Sequence, residues 1–190
     1  MVKSTCTAIL KMNGWKFINN IPDDLRSFVM IGAPHTSNYD FFAAMMVAES
    51  MKRNAKFVIK SEWMKFPFNM IMGPAGAIGL DRKGLSKKDK ESTTDLMAGL
   101  FKKYKDLVLM IAPEGTRSPN PHWKTGFYYM AQKAGVPIVL GFVDYEKKET
   151  GLGMVLIPTD FEKDMHTIMD FYRDIKGKVP DNFQLDEKFK

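Results

Sequence analysis

The sequence predicts an α/β fold, with a mixed central sheet flanked by helices. Short apolar runs of strand length alternate with longer runs of helical length. Turn-forming residues separate them, and each group of chemically capable side chains falls just past an expected strand. At 190 residues the chain fits a single domain, 1–190, long enough to bury a full core.

Residues 1–13 suit a short amphipathic helix with Val2, Cys6, Ile9 and Met12 roughly on one face. Trp15–Asn19 and Ser27–Gly32 read as strands joined by the turn-forming Ile21-Pro22-Asp23-Asp24. Phe41 to Ala48, long and rich in Ala and Met, gives a buried helix from about Tyr39 to Arg53. Phe57-Val58-Ile59 is a third short strand. Ser61 and Glu62 open a segment holding Trp63, Met64, Phe66, Phe68 and Met70, which Pro67 divides into two short helices. Small residues from Gly73 to Gly79 lead into a strand at Ile78–Leu80. A basic helix follows in Lys87–Lys105, with Ser86 as its cap. Leu107–Ile111 is the most strand-like run. Gly126–Ala134 is a helix closed by Gly135. Pro137–Val143 and Met154–Ile157 are strands, paired as a hairpin across Glu146–Gly153. The last helix spans about Glu162–Lys176, and the polar tail Asp181–Lys190 is expected to be loose.

Composition narrows the chemistry. A net charge of +6 suits an anionic partner, whether nucleic acid, an acidic membrane surface or a phosphate-bearing substrate. The basic run from Arg82 to Lys105 has only Phe101 and Tyr104 interleaved and no reader motif, so nucleic acid is not expected. The one cysteine, Cys6, excludes an internal disulfide, and the three histidines lack zinc-site spacing, so no metal is expected. Met1–Leu10 lacks the apolar core of a signal peptide. Ser27–Ala48 is too polar to span a membrane. A soluble or peripheral protein is expected.

The chemically richest stretch is residues 31–43. His35 and Asp40 sit five apart, where the apolar run Phe28–Ile31 ends and a helix begins. Within one straight helix they would be about 140° apart. They can meet if His35 lies in the loop and Asp40 in the first turn, with Ser37 or Asn38 as N-cap. A carboxylate holding one imidazole nitrogen leaves the other free to take a proton from a hydroxyl. The same two residues would also suit a helix cap and a first-turn acid.

Glu114-Gly115-Thr116-Arg117 follows the central strand directly. Gly115 permits a left-handed turn or close ligand approach. Arg117 offers a planar fork for phosphate, Thr116 a hydroxyl, and Glu114 could orient Arg117 or a substrate hydroxyl. Arg82 is a second candidate phosphate clamp, and Lys124 a further anion contact. There is no G-x-x-x-x-G-K-[ST] loop and no G-x-S-x-G elbow. A His-Asp base, two arginines and no protein nucleophile suggest direct transfer onto a phosphate-bearing alcohol.

Together these motifs resemble the glycerolipid acyltransferase family, typified by lysophosphatidic acid acyltransferase. His35 to Asp40 matches its H-x-x-x-x-D block, Gly76 to Arg82 its second, Pro113-Glu114-Gly115-Thr116-Arg117-Ser118 its third, and Val136-Pro137-Ile138-Val139 its fourth. The resemblance covers roughly residues 28–143. It implies fatty acyl transfer from acyl-CoA or acyl-carrier protein, with no other cofactor, to a lysolipid hydroxyl, 1-acyl-glycerol-3-phosphate first among them. A lyso amino-acid lipid is an alternative acceptor. His35 would be the base and Asp40 its orienting partner. Arg82, Glu114, Gly115, Thr116 and Arg117 would hold the head group. The chain departs from many relatives in having only Met1–Met12 in place of N-terminal hydrophobic segments, and Leu140-Gly141 where another proline is frequent. Peripheral contact with an anionic membrane, on the cytoplasmic face, would fall to Met1–Met12 or Trp63–Met72. The competing readings are a thioester hydrolase and a non-enzymatic lipid-binding module.

Overall fold

The computed structural model describes residues 2–51, 54–60, 64–66, 68–80 and 93–190. Its centre is a seven-stranded sheet: β1 (Lys16–Asn19), β2 (Phe28–Ala33), β3 (Asn54–Lys60), β4 (Ala77–Leu80), β5 (Leu107–Ile111), β6 (Ile138–Asp144) and β7 (Glu149–Leu156). The spatial order is β1-β7-β6-β2-β5-β3-β4. Strands β6, β2, β5, β3 and β4 run parallel, β7 turns back against β6, and β1 runs alongside β7. The fold is the expected mixed α/β sheet flanked by helices.

Parallel strands covered on both faces must be apolar throughout, not alternating. Phe28 to Ile31 and Leu107 to Met110 meet that demand, and all are buried. Their side chains alternate between two helical layers. Val29, Ile31 and Leu109 face α4 (Thr93–Lys103), α5 (Gly126–Ala134) and α6 (Phe161–Tyr172), packing on Met97, Phe127, Tyr128, Met165 and Met169. Phe28, Met30 and Val108 face α2 (Asp40–Ser50), packing on Val47, Ala48 and Met51.

Helix α1 (Val2–Met12) lies over α2 and also meets α3 (Asn69–Ala75), and Cys6, Met45 and Ala75 form a second apolar layer. That double cover explains why α2 is apolar all round. The face expected on α1 is split: Cys6 is buried against α2, while Ile9 and Met12 are exposed. Among the described residues no helix is long and apolar enough to cross a membrane.

Several elements differ from the sequence reading. β1 and β2 are not neighbours, because β1 pairs with β7 at the sheet edge and β2 lies between β6 and β5. The hairpin is tighter than expected, since β7 begins at Glu149 and only residues 145–148 turn. The described part of the basic helix begins at Thr93. The expected cap Ser86, the break at Pro67 and the start at Ser61–Trp63 lie outside the described residues. The tail is not loose. Asp186 and Phe189 are buried, and Asp186 Oδ2 accepts the Trp123 backbone N–H at 2.7 Å.

Candidate active site

Strands β2, β5 and β6 point their C-terminal ends the same way, and loops at such ends are where open α/β sheets present ligand-binding groups. His35 follows β2, Glu114 follows β5, and Tyr145 follows β6.

The His35 loop closes around one carboxylate. Asp40 is the first residue of α2, and its Oδ2 accepts the backbone N–H groups of Thr36 (2.8 Å) and Ser37 (2.9 Å). His35 Nδ1 lies 3.2 Å from the same oxygen. The loop-and-first-turn arrangement thus brings the two side chains together. The N-cap is Tyr39, not Ser37 or Asn38. The chain already coils through residues 37–39, with Asp40 N–H reaching Ser37 O at 3.2 Å. The side chain that ties the turn is therefore that of Asp40, reaching back to earlier amides. Oδ1 accepts the Tyr145 hydroxyl at 2.8 Å.

Asp40 is 7% exposed and His35 is 26% exposed, a pattern of buried orienter and accessible ring. With Nδ1 against the carboxylate, Nε2 is the ring nitrogen left to meet a substrate.

Glu114 acts on the same loop from below. It is 2% exposed, and its Oε1 accepts the His35 backbone N–H at 2.7 Å. Burial pushes its carboxyl up to about 7; the Asp40 charge adds to the rise, and the His35 N–H opposes it. Glu114 thus holds the histidine backbone, a role different from orienting Arg117.

The rest of the loop is folded by its own polar groups. Gly115 has φ of +69°, a left-handed turn that glycine adopts without penalty. A Cβ there would sit 3.3 Å from Lys124 Cγ. Lys124 N–H donates to Pro113 O at 2.7 Å, and Asn120 Nδ2 to Glu114 O at 2.7 Å. Thr116 Oγ1 accepts the Ser118 N–H at 3.2 Å, which leaves its own proton to donate. Thr116, Arg117 and Lys124 are exposed on this surface. His35 meets both Asp40 and Glu114, while Gly115 to Arg117 continue the loop that leaves Glu114 and Lys124 packs on that loop at Gly115. Arg82 lies outside the described residues.

The sequence profile of the family described as Acyltransferase matches residues 17–139, more than half of the chain. The chain belongs to the glycerolipid acyltransferase family. No curated protein matches it. In this acyltransferase the matched span runs from β1 into β6 and includes His35, Asp40 and the Glu114 loop. The family implies an acyl donor and a lipid acceptor.

Two groups at the site lie beyond that span and were missed in the sequence. Tyr145 stands just past β6, the position that flagged the other two loops, and that signal was available. Gly177, just past the last helix, is buried against the His35 loop: a Cβ on it would lie 2.8 Å from Thr36 Oγ1.

Proposed function

We propose that this acyltransferase moves a fatty acyl group from acyl-CoA or acyl-carrier protein to the hydroxyl of a lysolipid, with 1-acyl-glycerol-3-phosphate as acceptor. The observation that carries the mechanism is the 3.2 Å approach of His35 Nδ1 to the buried Asp40 carboxylate. His35 Nε2 takes the proton of the acceptor hydroxyl as its oxygen attacks the thioester carbonyl. The tetrahedral intermediate then breaks its C–S bond, and the imidazolium returns the proton to the leaving thiolate. A positioned base of this kind supplies roughly 10² to 10⁴ in rate. No protein nucleophile is needed, because the acceptor brings its own.

Arg82, Thr116, Arg117 and Lys124 are assigned to the acceptor phosphate, with Gly115 allowing its close approach. Their charge and donor geometry support this. A lipid acceptor requires a membrane surface. The net charge of +6 favours an anionic one, and exposed Phe66, Phe68 and Met70 beside α3 would enter its interface. The enzyme would then work peripherally on the cytoplasmic face.

The test is a mass-spectrometric product assay. Wild type and His35→Ala are offered acyl-CoA or acyl-carrier protein with a panel of lysolipids that includes lysophosphatidic acid and a lyso amino-acid lipid. A diacyl product from wild type alone is expected. Undiminished product from a folded His35→Ala protein would remove the histidine from the mechanism. Acylation of the amino-acid lipid alone would replace the proposed acceptor, and free fatty acid alone would indicate hydrolysis.

A further inference from the structure

We infer that Tyr145 is a positioning residue of the acyl-transfer site, holding the Asp40 carboxylate from the side opposite His35. The inference rests on the reading of His35 as base. Its own observation is separate: the Tyr145 hydroxyl donates to Asp40 Oδ1 at 2.8 Å, across 105 residues of sequence. Oδ2 is taken by His35 and by the Thr36 and Ser37 amides, so Tyr145 is the side chain that fixes the remaining oxygen.

The tyrosine is itself anchored on three sides. Its ring meets Trp15 edge-on at 4.9 Å, its backbone N–H donates to Lys176 O at 2.9 Å, and it stands in the tight β6–β7 turn. A hydroxyl held this firmly fixes the rotamer of the carboxylate it binds. Burial, with the Asp40 charge second, pushes the phenol well up, so it remains a donor throughout the working range.

The hydrogen bond also tempers the charge that His35 feels. A carboxylate oxygen sharing a phenolic proton is a weaker partner for an imidazolium than a bare one. Other ionisable groups face this cluster from the elements around it. Glu114 touches the His35 amide, and Lys178 Nζ lies 3.6 Å over the Tyr39 ring and 5.8 Å from the Tyr145 ring. Asp144, the residue before Tyr145, turns its carboxylate to the amides of Glu146 and Lys147 instead. Loss of the hydroxyl therefore has two consequences. Asp40 gains freedom, lowering kcat, and His35 holds its proton to higher pH.

The experiment uses full-length wild type, Tyr145→Phe and His35→Ala with oleoyl-CoA or oleoyl-acyl carrier protein and lysophosphatidic acid. Phenylalanine keeps the ring against Trp15, so the thermal midpoint should change little. For Tyr145→Phe we expect kcat to fall by about tenfold with little change in KM, in line with one hydrogen bond to a charged group. The acid limb of the pH–rate profile should move to higher pH. Histidine labelled with ¹⁵N in its ring, with His35 assigned by His35→Gln, should show the same displacement without any turnover. An inactive His35→Ala beside a Tyr145→Phe protein with an unmoved profile and unmoved titration would overturn the inference and leave the base in place. A fall in kcat with neither displacement would reduce Tyr145 to a structural prop and also overturn it. An active His35→Ala protein would overturn the base reading, and with it the positioning role built on that base.

Discussion

Glu114 holds His35 by its backbone while Asp40 holds it by its ring: Oε1 of one accepts the His35 N–H at 2.7 Å, and Oδ2 of the other lies 3.2 Å from Nδ1. The two carboxylates work in different surroundings. Asp40 is met by two amides, a phenol and an imidazole, whereas the Glu114 side chain is buried and accepts the His35 amide. The histidine is thus held at its backbone amide and at one ring nitrogen before substrate arrives, which is the preorganisation that proton transfer needs.

That difference predicts a pH-dependent stability carried by Glu114. Its carboxyl is raised from 4.5 to about 7 in the folded protein. Between those values the folded protein keeps a proton that the unfolded chain has released. The stabilisation is complete below the unfolded value and is lost as pH rises through the folded one, a change on the order of 3 kcal/mol. Glu114→Gln keeps an oxygen for the His35 amide and has no charge to bury. Its thermal midpoint relative to wild type should therefore climb between about pH 4.5 and 7. A constant difference across that range would show that Glu114 does not titrate there.

Arg117 is exposed, so its removal should leave the fold intact. Arg117→Ala should raise KM for lysophosphatidic acid by roughly ten- to a hundredfold, the worth of a charge-assisted contact, with kcat changed far less. The split matters because a residue binding ground and transition states alike alters KM alone. Equal KM values in the two proteins would take Arg117 out of head-group binding.

Gly177 couples the C-terminal segment to the site. A Cβ there would approach Thr36 Oγ1 at 2.8 Å, Thr36 Cγ2 at 2.9 Å and Pro34 Cβ at 3.1 Å. Val179 N–H also donates to Thr36 Oγ1 at 3.3 Å. Gly177→Ala should therefore press on the loop whose amides bind Asp40. We expect a destabilisation of about 1–3 kcal/mol by denaturant titration, the range for overpacking. A fall in kcat should accompany it, because Thr36 and Pro34, the nearest neighbours of an added Cβ, belong to the loop that carries His35. Full activity at unchanged stability would mean that the loop gives way without consequence.

The sequence made the interior of this fold readable where demands are local. Leu107–Ile111 is apolar without a break because its strand is covered on both faces, and Gly135 ends its helix in the left-handed conformation that glycine favours. His35 and Asp40 are legible as a pair because their spacing, at the end of a strand, suits a meeting of loop and first helical turn. Long-range choices were not readable. Nothing in Lys16–Asn19 says that its partner is Glu149–Leu152 and not the adjacent Phe28–Ala33. Tyr145 sits in a turn of Asp, Glu and Lys that reads as a solvated hairpin, and its partner is 105 residues away. Glu114 stands out in the sequence beside Gly115 and Arg117, but its partner, a backbone amide, leaves no mark in side-chain patterns.

The C-terminal tail gives the sharpest remaining test, because its composition and its structure point in opposite directions. Asp181–Lys190 is polar, yet Asp186 is 4% exposed, and its Oδ2 takes the Trp123 backbone N–H at 2.7 Å. The Trp123 ring N–H donates in turn to Gln184 O at 2.9 Å, and Phe189 is buried in the cluster that includes Phe127 and Tyr128. Trp123 immediately precedes Lys124, whose amide closes the Glu114 loop on Pro113. The tail therefore braces the wall of the site from behind. Asp186→Ala would strand a buried N–H, which costs about 1–3 kcal/mol. It should lower the thermal midpoint and raise KM for the acceptor by loosening residues 113–124, without altering the pH profile set around His35. If the variant unfolds at the wild-type temperature, the tail is not bound in solution as it is here.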